Sequence, residues 1–261
     1  TNVLEMLDES NTTTVGSATS YINGPMKYDV TSTTSQTLNF PIGKSGDWRP
    51  AVLTVKNSVN TQYNYTSEVF NANPWSTFSS TWPTSMPTTT VDTISGVRYW
   101  TIARTDAAGT SQPTANISGN QGVQLYFGTN DGVYQGSALT IVKNTSATPA
   151  NWIDIGGSCA LGNFSTAQAG SVSSTSSPTA FSSFSSFALG SKTTGWDPLP
   201  IELLSFNAVP DGDKVKLDWE TITETNNSYF TIEKSKDGIN FVKVIDVPGA
   251  GTSTSYRNYA E

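Results

Sequence analysis

Apolar and polar residues alternate over short stretches along most of the chain, and a period of two predicts strands with one buried face. Near the C-terminus Val215, Leu217 and Trp219 alternate with Lys216, Asp218 and Glu220, and Phe230 and Ile232 alternate with Thr231 and Glu233. Trp219, Phe230 and Ile232 are therefore expected in a core. Lys236-Asp237-Gly238 predicts a hairpin turn, because Asp-Gly accepts the positive φ values such turns need. Strands are expected near 201–209, 213–220, 228–235, 240–247 and 254–258. Upstream, the same reading predicts strands at 37–41, 51–56, 62–70, 96–103, 122–127, 139–143, 152–155 and 184–188. Turn signals separate them at Lys44-Ser45-Gly46-Asp47, Asp106-Ala107-Ala108-Gly109, Asn130-Asp131-Gly132 and Gly156-Gly157. Phe181, Phe184 and Phe187 read as the ragged entry to one core strand. Residues 171–178 offer almost no core-building side chain and read as a surface loop. No amphipathic helix longer than two turns stands out. The expected fold is all-β, with two consecutive β-sandwich domains.

Charge places the boundary between them. The last 63 residues carry six basic and ten acidic side chains, against eight and eleven in the first 198. Gly195-Trp196-Asp197-Pro198-Leu199-Pro200 stands at the step, and its prolines favour a stiff, extended connection. The expected domains are 21–197, a large sandwich, and 199–261, a smaller one. A fibronectin-type sandwich has seven strands in roughly 90 residues. Five are predicted from 201 on, so about two are expected from further chain or from a neighbouring molecule.

Charged residues make up only 13% of the 261 residues, and the net charge is −7 with a pI near 4.6. No basic stretch exists, which argues against nucleic acid, and no apolar run is long enough to form a transmembrane helix. The chain has no histidine and one cysteine, Cys159, which reads as a small buried hydrophobe. Without histidine the serine triad and the usual zinc sites are closed. Carboxylate pairs remain, and Asp131, Asp154 and Glu68 are the candidates. Nothing in the sequence brings them together, so no catalytic or metal residue is assigned, no cofactor is expected, and the chain reads as a non-enzyme. Asp106, Asn130, Asp131 and Asp154 are the oxygen donors that would suit a structural calcium, and most such residues simply form turns.

Trp48, Trp75, Trp82, Trp100 and Trp152 are many tryptophans for one β-domain, and exposed indole faces suit sugar stacking. Trp75 and Trp82 lie in Asn73-Pro74-Trp75-Ser76-Thr77-Phe78-Ser79-Ser80-Thr81-Trp82-Pro83, a stretch without period. They are the candidate glycan contacts.

The C-terminal run carries a family resemblance. Leu199-Pro200-Ile201-Glu202-Leu203-Leu204-Ser205-Phe206, Lys214-Val215-Lys216-Leu217-Asp218-Trp219-Glu220-Thr221 and Thr223-Glu224-Thr225-Asn226-Asn227-Ser228-Tyr229-Phe230-Thr231-Ile232-Glu233-Lys234-Ser235-Lys236-Asp237-Gly238 carry it. Together they resemble the fibronectin-type-III-like module that precedes the sorting domain in large surface proteins of the Bacteroidota. Tyr21 to Met26, Asn39 to Lys44, Trp48-Arg49-Pro50, Arg98-Tyr99-Trp100, Asn151-Trp152 and Phe184 to Gly190 are similar, in that order, to the region upstream of this module in adhesin-like relatives. The resemblance implies a secreted, cell-surface β-protein exported by the type IX secretion system through a C-terminal sorting domain outside this chain. It implies a stalk or filament module of an adhesin, with homo-oligomers or fibres; surface glycans are the partner that the loop tryptophans suggest. An accessory region of a polysaccharide-degrading enzyme is the alternative, as is a carbohydrate-binding module. Residues 1–20 would be the end of an upstream repetitive β-region. Asp92-Thr93-Ile94 matches the pattern at which such exported proteins carry O-glycans, making Thr93 the candidate acceptor.

Overall fold

The computed structural model describes residues 3–7, 13–74, 77, 91, 93–118, 121–144, 152–162, 168–175, 183–192, 203–212, 214–221, 224–253 and 257–261. The chain divides into two compact units, Thr1–Leu199 and Pro200–Glu261. Both are all-β.

Three sheets build the first unit. One holds β1 (Leu4–Met6), β3 (Met26–Val30), β8 (Tyr63–Phe70), β10 (Tyr99–Asp106), β16 (Ser186–Ser191), β12 (Leu139–Asn144) and β13 (Trp152–Asp154) in that spatial order, with β9 (Thr93–Ile94) also paired to β16. The second holds β14 (Ser158–Cys159), β15 (Gly170–Ser173), β11 (Gly122–Phe127), β7 (Ala51–Val55) and β4 (Gln36–Phe40). A small third sheet joins β2 (Ile22–Asn23), β5 (Ile42–Lys44) and β6 (Asp47–Trp48).

Period-two burial fixes which face is inside. Met26, Tyr28 and Val30, Tyr65 and Val69, Trp100 and Ile102 point inward from the first sheet. Leu38 and Phe40, Leu53 and Val55, Val123, Leu125 and Val172 do so from the second, and all belong to one apolar cluster. This is a two-layer sandwich, in which each fully buried Leu, Val or Phe contributes roughly 1.5–3 kcal/mol. Register matches size: Ile102 faces the small Ser67, and Trp100 faces Val69. β12 and β16 are buried on both faces. Their other side packs a second cluster of Ile94, Tyr99, Val142, Trp152 and Ala188.

One sequence expectation is corrected. Residues 170–173 are a strand, not loop, paired to β11 on one edge and to β14 on the other. Only Val172, fully buried, supplies an apolar side chain. The strand is held by backbone pairing on both edges, which leaves almost no periodic signal.

A buried polar knot pins the first unit at one end of β10. Arg104 donates Nε to Tyr65 Oη (2.9 Å), Nη2 to Asn57 Oδ1 (3.1 Å) and Nη1 to the carbonyls of Gln112 (2.8 Å) and Ala115 (2.6 Å). Its guanidinium lies 3.5 Å from the Tyr63 ring centroid.

The second unit has β17 (Leu203–Asp211), β18 (Lys214–Thr221) and β21 (Arg257–Ala260) in one sheet, and the hairpin of β19 (Glu224–Ser235) and β20 (Phe241–Ser253) in another. Gly238 at φ 73° closes the hairpin as Asp-Gly predicted. Trp219 is 2% exposed, stacks on Tyr259 at 5.3 Å and meets Phe230 edge-on at 5.6 Å. Phe230 and Ile232 are half-buried. Glu224, also buried, accepts hydrogen bonds from Thr221 (2.8 Å), Asn227 (2.7 Å), Tyr259 (2.5 Å) and the Ala250 amide (2.8 Å), so one carboxylate ties four segments. Burial raises the Glu224 carboxyl, but these donors outweigh it and hold its pKa below the ordinary value. Phe206 pairs across from Trp219 and Val215 lies on the same face of β18, yet both are more than half exposed. The apolar face around Trp219 is thus only partly covered.

Candidate functional site

Three segments far apart in sequence converge at one end of the first unit. Ser45 (φ 50°) and Gly46 (φ 94°) turn the chain tightly between β5 and β6, which sets Asp47, Trp48 and Arg49 in a row. Arg98 immediately precedes β10. After β11 a short 3-10 turn, Thr129–Asp131, ends at left-handed Gly132.

Asp131 is fully buried between the two arginines. Its Oδ2 accepts from Arg49 Nε at 2.6 Å and from the Gly128 amide at 2.7 Å, and its Oδ1 accepts from Arg98 Nε at 2.7 Å. Asp47 closes the network: its Oδ2 accepts from Arg98 Nη2 (3.1 Å) and Asn71 Nδ2 (3.1 Å), and its Oδ1 from Asn130 Nδ2 (2.9 Å). Asn130 Oδ1 in turn accepts from Arg49 Nη2. Burial lowers the Arg98 pKa from its ordinary value, with Arg49 adding to the effect and Asp131 and Asp47 opposing it. Gly128 is dictated by close approach: a Cβ there would collide with the Arg49 guanidinium. Asp131 was expected as a turn former, and it is one, but the turn serves to deliver its carboxylate inward.

Beside this network lies a cleft of about 650 Å³, lined by Asp47, Trp48, Arg49, Tyr126, Asn130 and Ser171 among others. Trp48 and Tyr126 are both half-buried. Their ring centroids are 5.6 Å apart and the planes are tilted by 54°. Trp48 Nε1 donates to the Val15 carbonyl at 2.8 Å, which fixes the ring.

The carboxylates named from sequence do not form a pair. Asp131 is bound as above. Glu68 meets Lys44 at 3.0 Å. Asp154 accepts from Thr140 (2.5 Å) and the Gly156 amide (2.8 Å) and meets Lys192 at 3.0 Å. Burial works to raise Asp154, but these donors leave its pKa below the usual range. Asp106 caps its own turn through the Thr110 amide at 2.8 Å. Among the described residues no group of three or more acidic or cysteine side chains is placed to hold a metal ion. Trp75 and Trp82 lie outside the described residues, as does the 195–200 connection. Thr93 sits in β9, paired to Ser191 and partly buried. Trp100 and Trp152 are core residues, and Cys159 is half-buried against the core.

Lys143 is a further buried charge, absent from the sequence reading. Its Nζ donates to Ser183 Oγ (2.8 Å) and to the Asn144 carbonyl (3.2 Å), and burial lowers its pKa to about 8. No family model, curated protein or solved structure matches this chain.

Proposed function

We propose that this chain is a non-catalytic structural module of a secreted cell-surface protein, an adhesin or fibre component. Its resemblance to Bacteroidota modules supports export by the type IX system through a sorting domain outside this chain. The observation that carries the reading is the C-terminal unit. Residues 203–260 form two antiparallel sheets packed about Trp219, Phe230 and Tyr259, as the resemblance to a fibronectin-type module implies. The Ser- and Thr-rich, charge-poor composition fits an exported β-protein.

Surface labelling tests it. In cells carrying the natural gene, the protein should be biotinylated by a membrane-impermeant reagent and should be retained inside when the type IX outer-membrane channel is deleted. Unlabelled protein in intact wild-type cells, or labelling that survives the deletion, refutes export by that route. Hydrolytic turnover of polysaccharide by the purified chain would refute the non-catalytic part.

A further inference from the structure

We propose that the cleft between β6 and β11 is a binding site for a neutral glycan, with Trp48 and Tyr126 as its aromatic walls and Asp47 and Asn130 as its hydrogen-bonding rim. The inference stands independently of the structural reading above and uses neither Trp75 nor Trp82.

The volume, about 650 Å³, falls within the roughly 300–1,000 Å³ typical of ligand sites. Trp48 and Tyr126 are not members of either apolar cluster of the first unit. Two partly exposed aromatic rings from different sheets meet here at a wide angle, and among the described residues neither ring is packed into the apolar core. The Trp48 N–H is already committed to Val15, so the ring offers its face rather than its donor. A pyranose presents a patch of C–H groups that fits such a face.

The polar rim is held in place before any ligand arrives. Asp47 is fixed by Arg98, Asn71 and Asn130, and Asn130 is fixed by Arg49. Side chains locked by their neighbours lose little freedom on binding. The buried network accounts for Asp131 and Arg98, but it gives no reason for Trp48 and Tyr126 to stand half-exposed.

Charge selects the ligand class. Two arginines and two aspartates cancel within the network. The side chains of Arg49, Arg98 and Asp131 are only 9%, 3% and 0% exposed, whereas that of Asp47 is 25% exposed. Arg49 and Asp47 both line the cleft and each is paired within the network, so an anionic ligand meets no unpaired cation there, while Asp47 can still accept from hydroxyls. Because Arg98 already neutralises Asp47, a cationic ligand gains little. Hydroxyl-rich, uncharged sugars are what remain.

The test is a printed array of neutral and anionic glycans probed with the whole chain, followed by titration calorimetry on the strongest hit. Binding to neutral glycans is expected. Trp48→Ala and Tyr126→Ala should each weaken it about tenfold or more, Trp48→Phe should retain most of it, and Trp75→Ala with Trp82→Ala should change nothing. If circular dichroism shows Trp48→Ala misfolded, Tyr126→Ala and Asp47→Asn decide the matter. Absence of any binding up to about 1 mM, preference for anionic glycans, or binding insensitive to the Tyr126 and Trp48 substitutions overturns the proposal. So does binding lost only in the Trp75 and Trp82 variants.

Discussion

Replacing Asp131 with Asn keeps the size of the side chain and one acceptor oxygen but removes the charge shared by Arg49 and Arg98. Three strong contacts converge on that carboxylate, at 2.6, 2.7 and 2.7 Å, and the residue has no exposure to water. The two guanidiniums would then face one another with only Asp47 to balance them. Breaking a buried pair by removing one partner costs about 3–5 kcal/mol, because the remaining charge is left uncompensated. A unit of this length loses roughly 2–4 °C per kcal/mol, so thermal denaturation at pH 7 should show the first unit melting about 6–20 °C lower. A fall of less than about 3 °C would refute the reasoning. The triple variant Arg49→Met, Arg98→Met, Asp131→Leu separates the causes. If uncompensated charge is the penalty, it should melt above Asp131→Asn, since apolar replacement of buried ions is often close to neutral and the one charge left, Asp47, is 25% exposed. A triple variant that melts lower than the single one places the cost in lost geometry instead.

Lys143 gives a prediction of opposite sign. Its folded pKa is about 8, below the unfolded value of roughly 10.4, so between those values only the unfolded state holds the proton and stability rises with pH. Lys143→Met should raise the melting temperature at pH 7, a gain of about 3 kcal/mol in stability, and flatten the rise above pH 8; a lower melting temperature at pH 7 contradicts this. Gly128→Ala should cost about 1–3 kcal/mol in chemical denaturation, because its Cβ meets the fixed Arg49 guanidinium, and an unchanged midpoint would show that the guanidinium can move aside. Trp219→Ala should cost about 3–5 kcal/mol and abolish amide-exchange protection in 203–260 while leaving the first unit protected; protection retained in both units would remove Trp219 from the core.

The strands that the alternation announced were those whose burial is one-sided and whose apolar teeth are large. β7, with Ala51, Leu53 and Val55, and β11, with Val123, Leu125 and Phe127, follow the template directly. β3 carried the same signal in Met26, Tyr28 and Val30 and could have been read. β15 could not, since one valine among glycine and serines has no period. The candidate site was legible only in fragments. Asp47-Trp48-Arg49, Arg98 and Asn130-Asp131 are visible as residues, but the side-chain bonds joining these three segments span 33 to 83 positions, and no local pattern encodes such pairing. The tight Ser45-Gly46 turn and Gly132 were legible, and they are the devices that aim Asp47 and Asp131 at one another's partners.

All three arginines of the first unit, Arg49, Arg98 and Arg104, are buried, and so is Lys143. Half of the eight basic side chains in the first 198 residues are therefore inside rather than on the surface, the three arginines as pins with several fixed donors each and Lys143 at a cost in stability. Arginine suits this use because its planar fork satisfies several acceptors at once and stays charged when buried. Among the described residues of this unit, Lys27, Lys44, Lys56 and Lys192 are the cations outside the core, against Glu5, Asp47, Glu68, Asp106 and Asp154. The net charge of −7 on the whole chain disfavours polyanions at long range. On the glycan proposal, the arginines that pin the sandwich also bear on what the cleft would hold: Arg49 reaches its wall already paired with Asp131 and Asn130, and Trp48, Tyr126 and Asp47 stand beside it.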